Sequence, residues 1–486
     1  MPNLRKALVI NFFSNSGATL LKFIVSVILA RILSPDEIGV FSMTVLFVNL
    51  AHVFRDFGVS SYLQREADLT PDKIRSAAGV MFAMSWLIGI TIFFSSGLIG
   101  AWFKEPLIVP VLEVLAVGFL FVPFGSITHA LLVREFQAEK EAYVTAIGTI
   151  FYCGSCLVLA KLDYGSLSLA YANLISVIVS GLAYMPLRPK NAPWTLSLKH
   201  WRSVTNFGLG SLVTSSVVAI NNAIPDVLLG KLSGARDVGL LSRSNSTVSI
   251  FSYVAGSAVT YGAIPYMAQI FHRGESLVPV LSRATALLTG IGWPALALTV
   301  VFGEQIVATL YGPDWLSSVP SILPLAIAAA IGMMFHYIPA ALNAIGRPYL
   351  SAWPLGVTLV ARIVAVVMLF DGSLLGFAWI LCLATAVTVP VNFSQQMRYF
   401  NFTSGMTLKA VLPSVIVTAG TTAVGIGFDM LVYESVIPAL ELLAAFPVLA
   451  LSWYVLLRLT RHALLDEVHK LFFVTRSRLA IMFANS

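Results

Sequence analysis

Residues 29–42 read Leu-Ala-Arg-Ile-Leu-Ser-Pro-Asp-Glu-Ile-Gly-Val-Phe-Ser, and the architecture of the whole chain can be inferred from them because they occur twice. Residues 229–242 read Leu-Gly-Lys-Leu-Ser-Gly-Ala-Arg-Asp-Val-Gly-Leu-Leu-Ser, with Lys231 opposite Arg31 and a glycine opposite Gly39. Each copy ends one apolar segment with a basic residue and a turn, and then begins another. A repeat at this interval predicts two halves of related structure.

A polar face accompanies each copy of the repeat. On a helix of 100° per residue, the polar residues of the first copy fall within about 60° of one another. They are Asn11, Asn15, Lys22 and Ser26. The residues 200 positions later form the same stripe: Ser211, Ser215, Asn222 and Asp226. Each copy therefore predicts an apolar helix with one hydrated face.

The composition indicates where such helices lie. Of the 486 residues, 58% are hydrophobic and only 11% are charged, whereas soluble domains carry about 25% charged residues. Uncharged windows such as 76–103 and 372–397 exceed the roughly 18 residues that suggest a spanning helix. The chain is therefore predicted to be an all-α polytopic membrane protein. Its net charge of +7 does not indicate nucleic acid binding, because no soluble basic domain accompanies it.

About fourteen transmembrane helices are predicted, as two parallel-repeat six-helix lobes followed by two C-terminal helices. The predicted helices span about 7–33, 38–54, 78–103, 111–133, 142–160, 165–187, 205–230, 244–271, 284–303, 319–345, 349–370, 373–397, 410–428 and 436–457. The predicted domains are an N-terminal lobe (1–187), a basic cytoplasmic linker (188–204), a C-terminal lobe (205–397), the last two helices (398–457) and a basic amphipathic cytoplasmic tail (458–486).

Lysine and arginine placement predicts the orientation. With a cytoplasmic N-terminus, the inner segments hold 22 of the 30 basic residues and the outer turns hold six. Cytoplasmic loops carry such an excess. The bias predicts that both termini are cytoplasmic, and it explains the basic charge.

Enzymatic chemistry is not indicated by any motif. The chain has no Gly-x-x-x-x-Gly-Lys loop and no His-Glu-x-x-His motif, so neither ATP hydrolysis nor zinc catalysis is suggested. Cys153, Cys156 and Cys382 lie in apolar segments, where they are interpreted as buried residues rather than ligands. No metal and no cofactor are predicted. Twofold lobes with a polar seam favour an alternating-access transporter instead.

Lys22 and Arg362 are the strongest candidates for a site within the membrane. A charged side chain in mid-helix costs about 2.5 to 3.5 kcal/mol on insertion scales, so it should face a cavity or pair with a neighbour. Arg31 and Lys231 end their helices, where either interfacial anchoring or a cavity role is open. If several of these cations face one cavity, its ligand should be anionic. Asp226 could carry a proton, or it could pair with a basic neighbour.

Several motifs resemble one family over nearly the whole chain. They are residues 30–41, Phe-Arg-Asp-Phe-Gly at 54–58, Gly-Leu-Leu-Ser-Arg at 239–243, Leu-Tyr-Gly-Pro-Asp-Trp at 310–315 and Asn-Ala-Ile-Gly-Arg-Pro at 343–348. With these motifs the chain resembles the polysaccharide transporter branch of the multidrug/oligosaccharidyl-lipid/polysaccharide flippase superfamily, especially its colanic acid and succinoglycan exporters.

The resemblance implies a flippase of the bacterial cytoplasmic (inner) membrane that moves undecaprenyl-diphosphate-linked oligosaccharide repeat units from the inner to the outer leaflet. Such units serve exopolysaccharide or lipopolysaccharide biosynthesis, and coupling to an ion gradient is implied. The implied partners are the lipid-linked oligosaccharide, the bilayer, and polysaccharide polymerase and chain-length machinery. The residues expected to bind substrate are Lys22, Arg31, Arg55, Arg362, Asn11 and Asn15, and Asp226 is the expected ion-coupling residue.

Two alternatives remain open. A multidrug efflux antiporter of the same superfamily would need carboxylates deep in the N-terminal lobe, where this sequence places Lys22. A polysaccharide polymerase or ligase would need a large outer loop with catalytic residues, whereas 304–318 is only 15 residues long. Both alternatives rank below a flippase.

Overall fold

A computed structural model describes residues 2–56, 58–66, 68–190, 192–199, 201–250, 263–432 and 437–470. It describes their side chains except at residues 2–9, 203, 206–214, 263–265 and 348. Every regular element in the described part of the chain is helical. Within it, twelve helical segments are long and apolar enough to cross a membrane. The predicted all-helical, multi-pass architecture is therefore confirmed.

The described residues form nineteen α-helices. They are α1 (Pro2–Ala30), α2 (Pro35–Asp56), α3 (Val59–Arg65), α4 (Pro71–Phe103), α5 (Ile108–Arg134), α6 (Ala138–Lys161), α7 (Ser166–Tyr184), α8 (Trp201–Ser233), α9 (Ala235–Val248), α10 (Ala263–His272), α11 (Val278–Val301), α12 (Gly303–Leu310), α13 (Ile322–Met334), α14 (Ile338–Ala344), α15 (Ala352–Leu369), α16 (Leu374–Val387), α17 (Val389–Phe400), α18 (Ser404–Val432) and α19 (Pro438–Leu459). Three 3-10 helices are also present, at Met185–Leu187, Pro313–Ser321 and Pro348–Ser351.

The predicted total of fourteen spans stays a prediction. Predicted helix 7 corresponds to α8, which includes side chains outside the described set, and predicted helix 8 (244–271) includes residues 251–262, which lie outside the described residues. Predicted helix 10 is not one helix: Pro313–Ser321, α13 and α14 replace it. Pro339 lies at the start of α14, and a proline both lacks a hydrogen-bond donor and disfavours helix in the residue before it.

The chain divides into two compact units. The first contains Met1–Arg243 with two later segments, Leu310–Trp315 and Phe370–Phe377. The second contains Ser244–Thr309, Leu316–Leu369 and Ala378–Ser486. The two six-helix lobes, their linker and the orientation of the termini stay predictions.

Sequence explains how α2 begins. The Ser34 hydroxyl accepts a hydrogen bond from the Glu37 backbone N–H at 3.3 Å, and the Glu37 carboxylate accepts one from the Ser34 backbone N–H at 2.8 Å. This reciprocal pair is a capping box, with Pro35 at the first helical position, where a missing N–H is harmless. The Ser-Pro-Asp-Glu sequence therefore fixes the turn that follows α1.

The two copies of the repeat meet in the first unit. A Cβ at Gly39 would overlap the Ala235 carbonyl, and a Cβ at Gly239 would overlap the Pro35 carbonyl. Because 35 corresponds to 235 and 39 to 239, these contacts are reciprocal, as in an interface with twofold symmetry. The equivalent positions 36 and 236 also meet, since the Arg236 guanidinium lies 3.5 Å from the Asp36 carboxylate. A local pseudo-twofold axis therefore passes between the two turns.

In the second unit, a buried histidine anchors the chain after α19. His462 is 2% exposed, and its Nδ1 accepts a hydrogen bond from the Leu464 N–H at 3.1 Å. Its Nε2 lies 3.0 Å from the Ser414 hydroxyl, which in turn lies 2.8 Å from the Thr289 hydroxyl. Burial lowers the pKa of His462, so the neutral imidazole fits this network. The predicted amphipathic tail begins here, and residues 471–486 lie outside the described residues.

Candidate substrate-binding site

Lys22 lies on the polar stripe of α1, beside an aromatic residue of α6. Its side chain is exposed, and its Nζ lies 5.6 Å from the centroid of the Tyr152 ring. An ammonium within about 6 Å of a ring is attracted to its π face. Within the described residues, no carboxylate forms an ion pair with Lys22. The ammonium is thus held by an aromatic ring, which leaves its charge available to a ligand.

Arg243 approaches the same face of α1 one turn further along. Its guanidinium donates to the Ser26 hydroxyl at 2.7 Å, and Ser26 follows Lys22 by four residues, which places both side chains on one helix face. Arg243 is only 8% exposed. Two cations from α1 and α9 therefore flank a single turn of α1. Such a pair could hold the oxygens of a phosphate or diphosphate through charge-assisted hydrogen bonds.

A second polar region follows the stripe of α8. A cavity of about 510 Å³ lies between α2 and α8, and its polar lining consists of Ser42, Asn49, Ser215, Asn222 and Asp226. The remaining lining residues are apolar. The predicted stripe of the second copy is therefore seen at Ser215, Asn222 and Asp226, while Ser211 lies outside the described side chains.

Among the described residues that line this cavity, Asp226 has the only ionisable side chain. In the described part of the chain, Asp226 takes part in no ion pair. The two basic residues considered as partners are engaged elsewhere. The Arg31 Nε donates to the Leu310 carbonyl at 3.1 Å, and the Lys231 ammonium donates to the Trp102 carbonyl while lying 4.8 Å from its ring centroid. A carboxylate beside amide and hydroxyl groups could exchange a proton or bind a small cation.

The other predicted residues lie at separate positions on α1, α2 and α15. Arg55 ends α2, about 24 Å from Gly39 along the helix axis at 1.5 Å per residue. Its Nε is buried without a hydrogen-bond partner among the described residues. Arg362 is partly buried in the middle of α15, in the second unit. On α1, Asn11 is partly buried and Asn15 is exposed.

Sequence reasoning gave little weight to two arrangements that the structure reveals. From the sequence, Arg243 lies in a predicted outer turn and is a weaker candidate for a cavity role than Arg31 or Lys231; the signal that could have found it is Ser26, which shares a helix face with Lys22. The second arrangement joins α5, α6 and α7: His129 Nδ1 lies 2.5 Å from the Glu141 carboxylate, and the Tyr184 hydroxyl donates to that carboxylate at 3.0 Å. Because these contacts join residues 12 and 43 positions apart on different helices, they leave no common pattern in the sequence.

Known proteins resemble this chain over most of its length. A family model described as "Polysaccharide biosynthesis protein" matches residues 28–320. The succinoglycan biosynthesis transport protein ExoT of Rhizobium meliloti (strain 1021) is 25% identical over 466 residues, which cover 94% of this chain and 92% of the relative.

Solved structures share the fold. A structure of the lipid II flippase MurJ in an inward closed conformation matches with a TM-score of 0.75 at 14% identity, over 93% of this chain and 99% of that one. An inward-facing multidrug resistance MATE family transporter matches with a TM-score of 0.62 at 16% identity, over 78% and 94%. The expected fold is therefore confirmed, and the proteins named here are a transport protein, a flippase and a transporter, the class expected for this chain.

Proposed function

Because the chain belongs to the polysaccharide biosynthesis protein family, we propose that it is a flippase for undecaprenyl-diphosphate-linked oligosaccharide repeat units. It moves them from the inner to the outer leaflet of the bacterial inner membrane by alternating access of the two predicted lobes, with both termini in the cytoplasm. The products serve exopolysaccharide or lipopolysaccharide biosynthesis. A polysaccharide polymerase and chain-length machinery would receive them.

One observation carries the proposal: two cations flank a turn of α1, and for Lys22 no described carboxylate compensates the charge. A fixed ammonium in a membrane-spanning helix stabilises an anion. The diphosphate is the feature that all undecaprenyl-diphosphate-linked repeat units share, whatever their sugars. Lys22 and Arg243 are therefore the first residues we assign to substrate, with Tyr152 orienting Lys22.

The remaining predicted residues take different parts in this proposal. Asn11 and Asn15 extend the polar stripe of α1 from Lys22 toward the N-terminus and would form hydrogen bonds with sugar hydroxyls. Arg55 and Arg362 are assigned to acidic sugars or to the diphosphate at other stages of transport. Arg31 contacts the Leu310 carbonyl, so its predicted role in binding substrate is the weakest of the four basic residues.

Asp226 is proposed to couple transport to an ion gradient. The other polar groups among the described lining residues are hydroxyls and amides, so a proton or a sodium ion would balance its charge there. This observation also supports a second candidate function. A multidrug efflux antiporter would use the same carboxylate to bind cationic drugs, and the MATE-like fold is compatible with it.

Flipping of a fluorescent undecaprenyl-diphosphate oligosaccharide in proteoliposomes tests the proposal. Lys22→Gln should lower the initial rate at least tenfold, because a hydrogen bond to a charged group contributes about 1.5 to 3 kcal/mol. Lys161→Gln is the matched control, since Lys161 is an exposed lysine that ends α6. Equal rates for the two variants would remove Lys22 from the site.

The same vesicles distinguish the two candidate functions. A flippase should transport the lipid-linked oligosaccharide and leave a lipophilic cation such as ethidium behind. Gradient-driven ethidium efflux without oligosaccharide flipping would establish the antiporter and refute the flippase.

A further inference from the structure

The segment Leu310–Trp315, called here the hexapeptide, is a preformed turn within the first unit. Gly312 has a φ of +101°, a conformation that other residues rarely adopt. The Trp315 N–H donates to the Gly312 carbonyl at 3.3 Å. Tyr311 and Trp315 are 1% and 0% exposed. The turn therefore presents two aromatic side chains, four residues apart, in a fixed arrangement.

The hexapeptide is fastened to the end of α1 by two hydrogen bonds. The Trp315 indole N–H donates to the Ala30 carbonyl at 2.6 Å. The Arg31 Nε donates to the Leu310 carbonyl at 3.1 Å. Ala30 is the last residue of α1, where carbonyl groups lack partners within the helix. The hexapeptide thus caps the helix that carries Lys22, at the end that the charge bias predicts to be outer.

Arg243 touches both the hexapeptide and the Lys22 face of α1. Its guanidinium carbon lies 5.5 Å from the Tyr311 ring centroid and 5.7 Å from that of Trp315. The same guanidinium donates to the Ser26 hydroxyl at 2.7 Å. One side chain therefore joins the cap to the candidate anion site.

We propose that Arg243, besides contacting the diphosphate held by Lys22, couples the binding of that diphosphate to the release of the hexapeptide from α1. The inference rests on the proposed function and concerns the control of that same site. An anion draws the guanidinium toward Lys22, since charge-assisted hydrogen bonds exceed cation–π contacts in strength. Tyr311 and Trp315 then lose the cation–π contact that they share, which weakens the attachment of the cap to α1.

Linkage gives the proposal a second consequence. If anion binding weakens the cap, weakening the cap must raise anion affinity by the same factor. The empty site therefore stays closed at this end, and a loaded site favours opening there. Such an arrangement would limit ion leakage through an unloaded transporter.

Electron–electron distance measurements on the full chain in nanodiscs test the coupling. Spin labels are placed at Ile28→Cys on α1 and Asp314→Cys on the hexapeptide, both exposed positions, in a background without the three native cysteines. Undecaprenyl diphosphate, inorganic diphosphate and undecaprenol are added in turn. A longer distance should appear with the two diphosphates and not with undecaprenol. A response to the lipid diphosphate alone would identify a lipid-linked anion as the effector.

Two variants separate coupling from simple structural support. Arg243→Met removes the guanidinium, and the distance should then no longer respond to diphosphate; Arg236→Met, an exposed residue of the same helix, is the control. Trp315→Phe keeps an aromatic ring but loses the bond to Ala30. It should raise the released fraction roughly fivefold without ligand and tighten diphosphate binding by a similar factor. Trp293→Phe, which loses an indole bond to Ala330, should change neither.

The outcomes distinguish this inference from the proposed function. Diphosphate binding measured in the same nanodiscs with an unchanged Ile28–Asp314 distance would overturn the coupling and leave the flippase proposal standing. Absence of diphosphate binding by the parent chain would overturn both. A distance response that persists in Arg243→Met would assign the coupling to another residue and refute the role of Arg243.

Discussion

The first and second copies of the repeat share a scaffold and differ in their chemistry. Gly39 and Gly239 make the same close approach to residues 235 and 35. At equivalent positions on the helix faces, however, the first copy has Lys22 and Ser26 where the second has Asn222 and Asp226. The first face is basic and the second is acidic.

The next helix of each copy also differs in its chemistry at an equivalent position. Met43 is fully buried and packs over Gly230 of α8. Its equivalent, Arg243, reaches Ser26 of α1. At the equivalent positions 43 and 243, the first copy therefore has a methionine that packs on Gly230, and the second has an arginine that bonds to Ser26. A symmetric backbone contact fixes the geometry, and the side chains around it are free to diverge toward an anion site and a cation site.

The largest expected effect is the loss of the shared scaffold. Gly39→Ala and Gly239→Ala should each destabilise the protein by about 3 kcal/mol, the upper part of the range for overpacking, because the added methyl meets backbone rather than a movable side chain. Gly17→Ala is the control, since a Cβ there has nothing within 4 Å. Thermal unfolding in detergent measures the difference. Unequal losses of stability at 39 and 239 would show that the two glycine contacts are not equivalent.

Neutralising the charge on each of the two faces should separate diphosphate binding from coupling to the ion gradient. Lys22→Gln should raise the dissociation constant for undecaprenyl diphosphate about 10- to 100-fold, while Asp226→Asn should change it less than threefold. Conversely, Asp226→Asn should abolish stimulation of transport by a proton or sodium gradient. Calorimetry and gradient-driven flipping measure these effects. The reverse pattern would assign the anion to the second face.

The two basic residues that end α1 and α8 should behave alike. Arg31 and Lys231 both donate to a backbone carbonyl, of Leu310 and Trp102 respectively. Arg31→Gln and Lys231→Gln should each lower stability by about 1 kcal/mol, and neither should weaken diphosphate binding; Arg31→Gln should tighten it, because the cap loses its bond to Leu310. A tenfold loss of affinity in Arg31→Gln, measured in the same binding assay, would restore Arg31 to the substrate site.

The smallest expected effect lies on the pseudo-twofold axis. Asp36 and Arg236 are 59% and 57% exposed, and exposed ion pairs contribute about 0 to 1 kcal/mol. Asp36→Asn should therefore shift stability by less than about 0.5 kcal/mol, and the shift should vanish at high salt. A larger, salt-independent loss of stability would show that this ion pair contributes substantially to the contact between the two turns.

Prediction from the sequence succeeded where a pattern is local or periodic. Hydrophobic windows identified the spanning helices, although α2 begins at Pro35, three residues before the predicted start at about 38. Repeat spacing paired Gly39 with Gly239, although only the structure revealed that the two copies touch each other. Predicted helix 10 was wrong as a single helix. Pro339 has no backbone N–H to donate, and the helix is interrupted between α13 and α14, just before this proline.

For the candidate site too, the sequence predicted some features and only the structure showed others. Amino-acid order alone placed Lys22 and Asp226 on polar stripes, since a helical period of 3.6 residues fixes which side chains share a face. It could not bring Arg243 to Ser26, place Tyr152 beside Lys22, or turn Arg31 toward Leu310. Those contacts join residues 130 to 279 positions apart in the chain. Only the packing of helices selects such partners, because side chains distant in sequence have no shared period to reveal them.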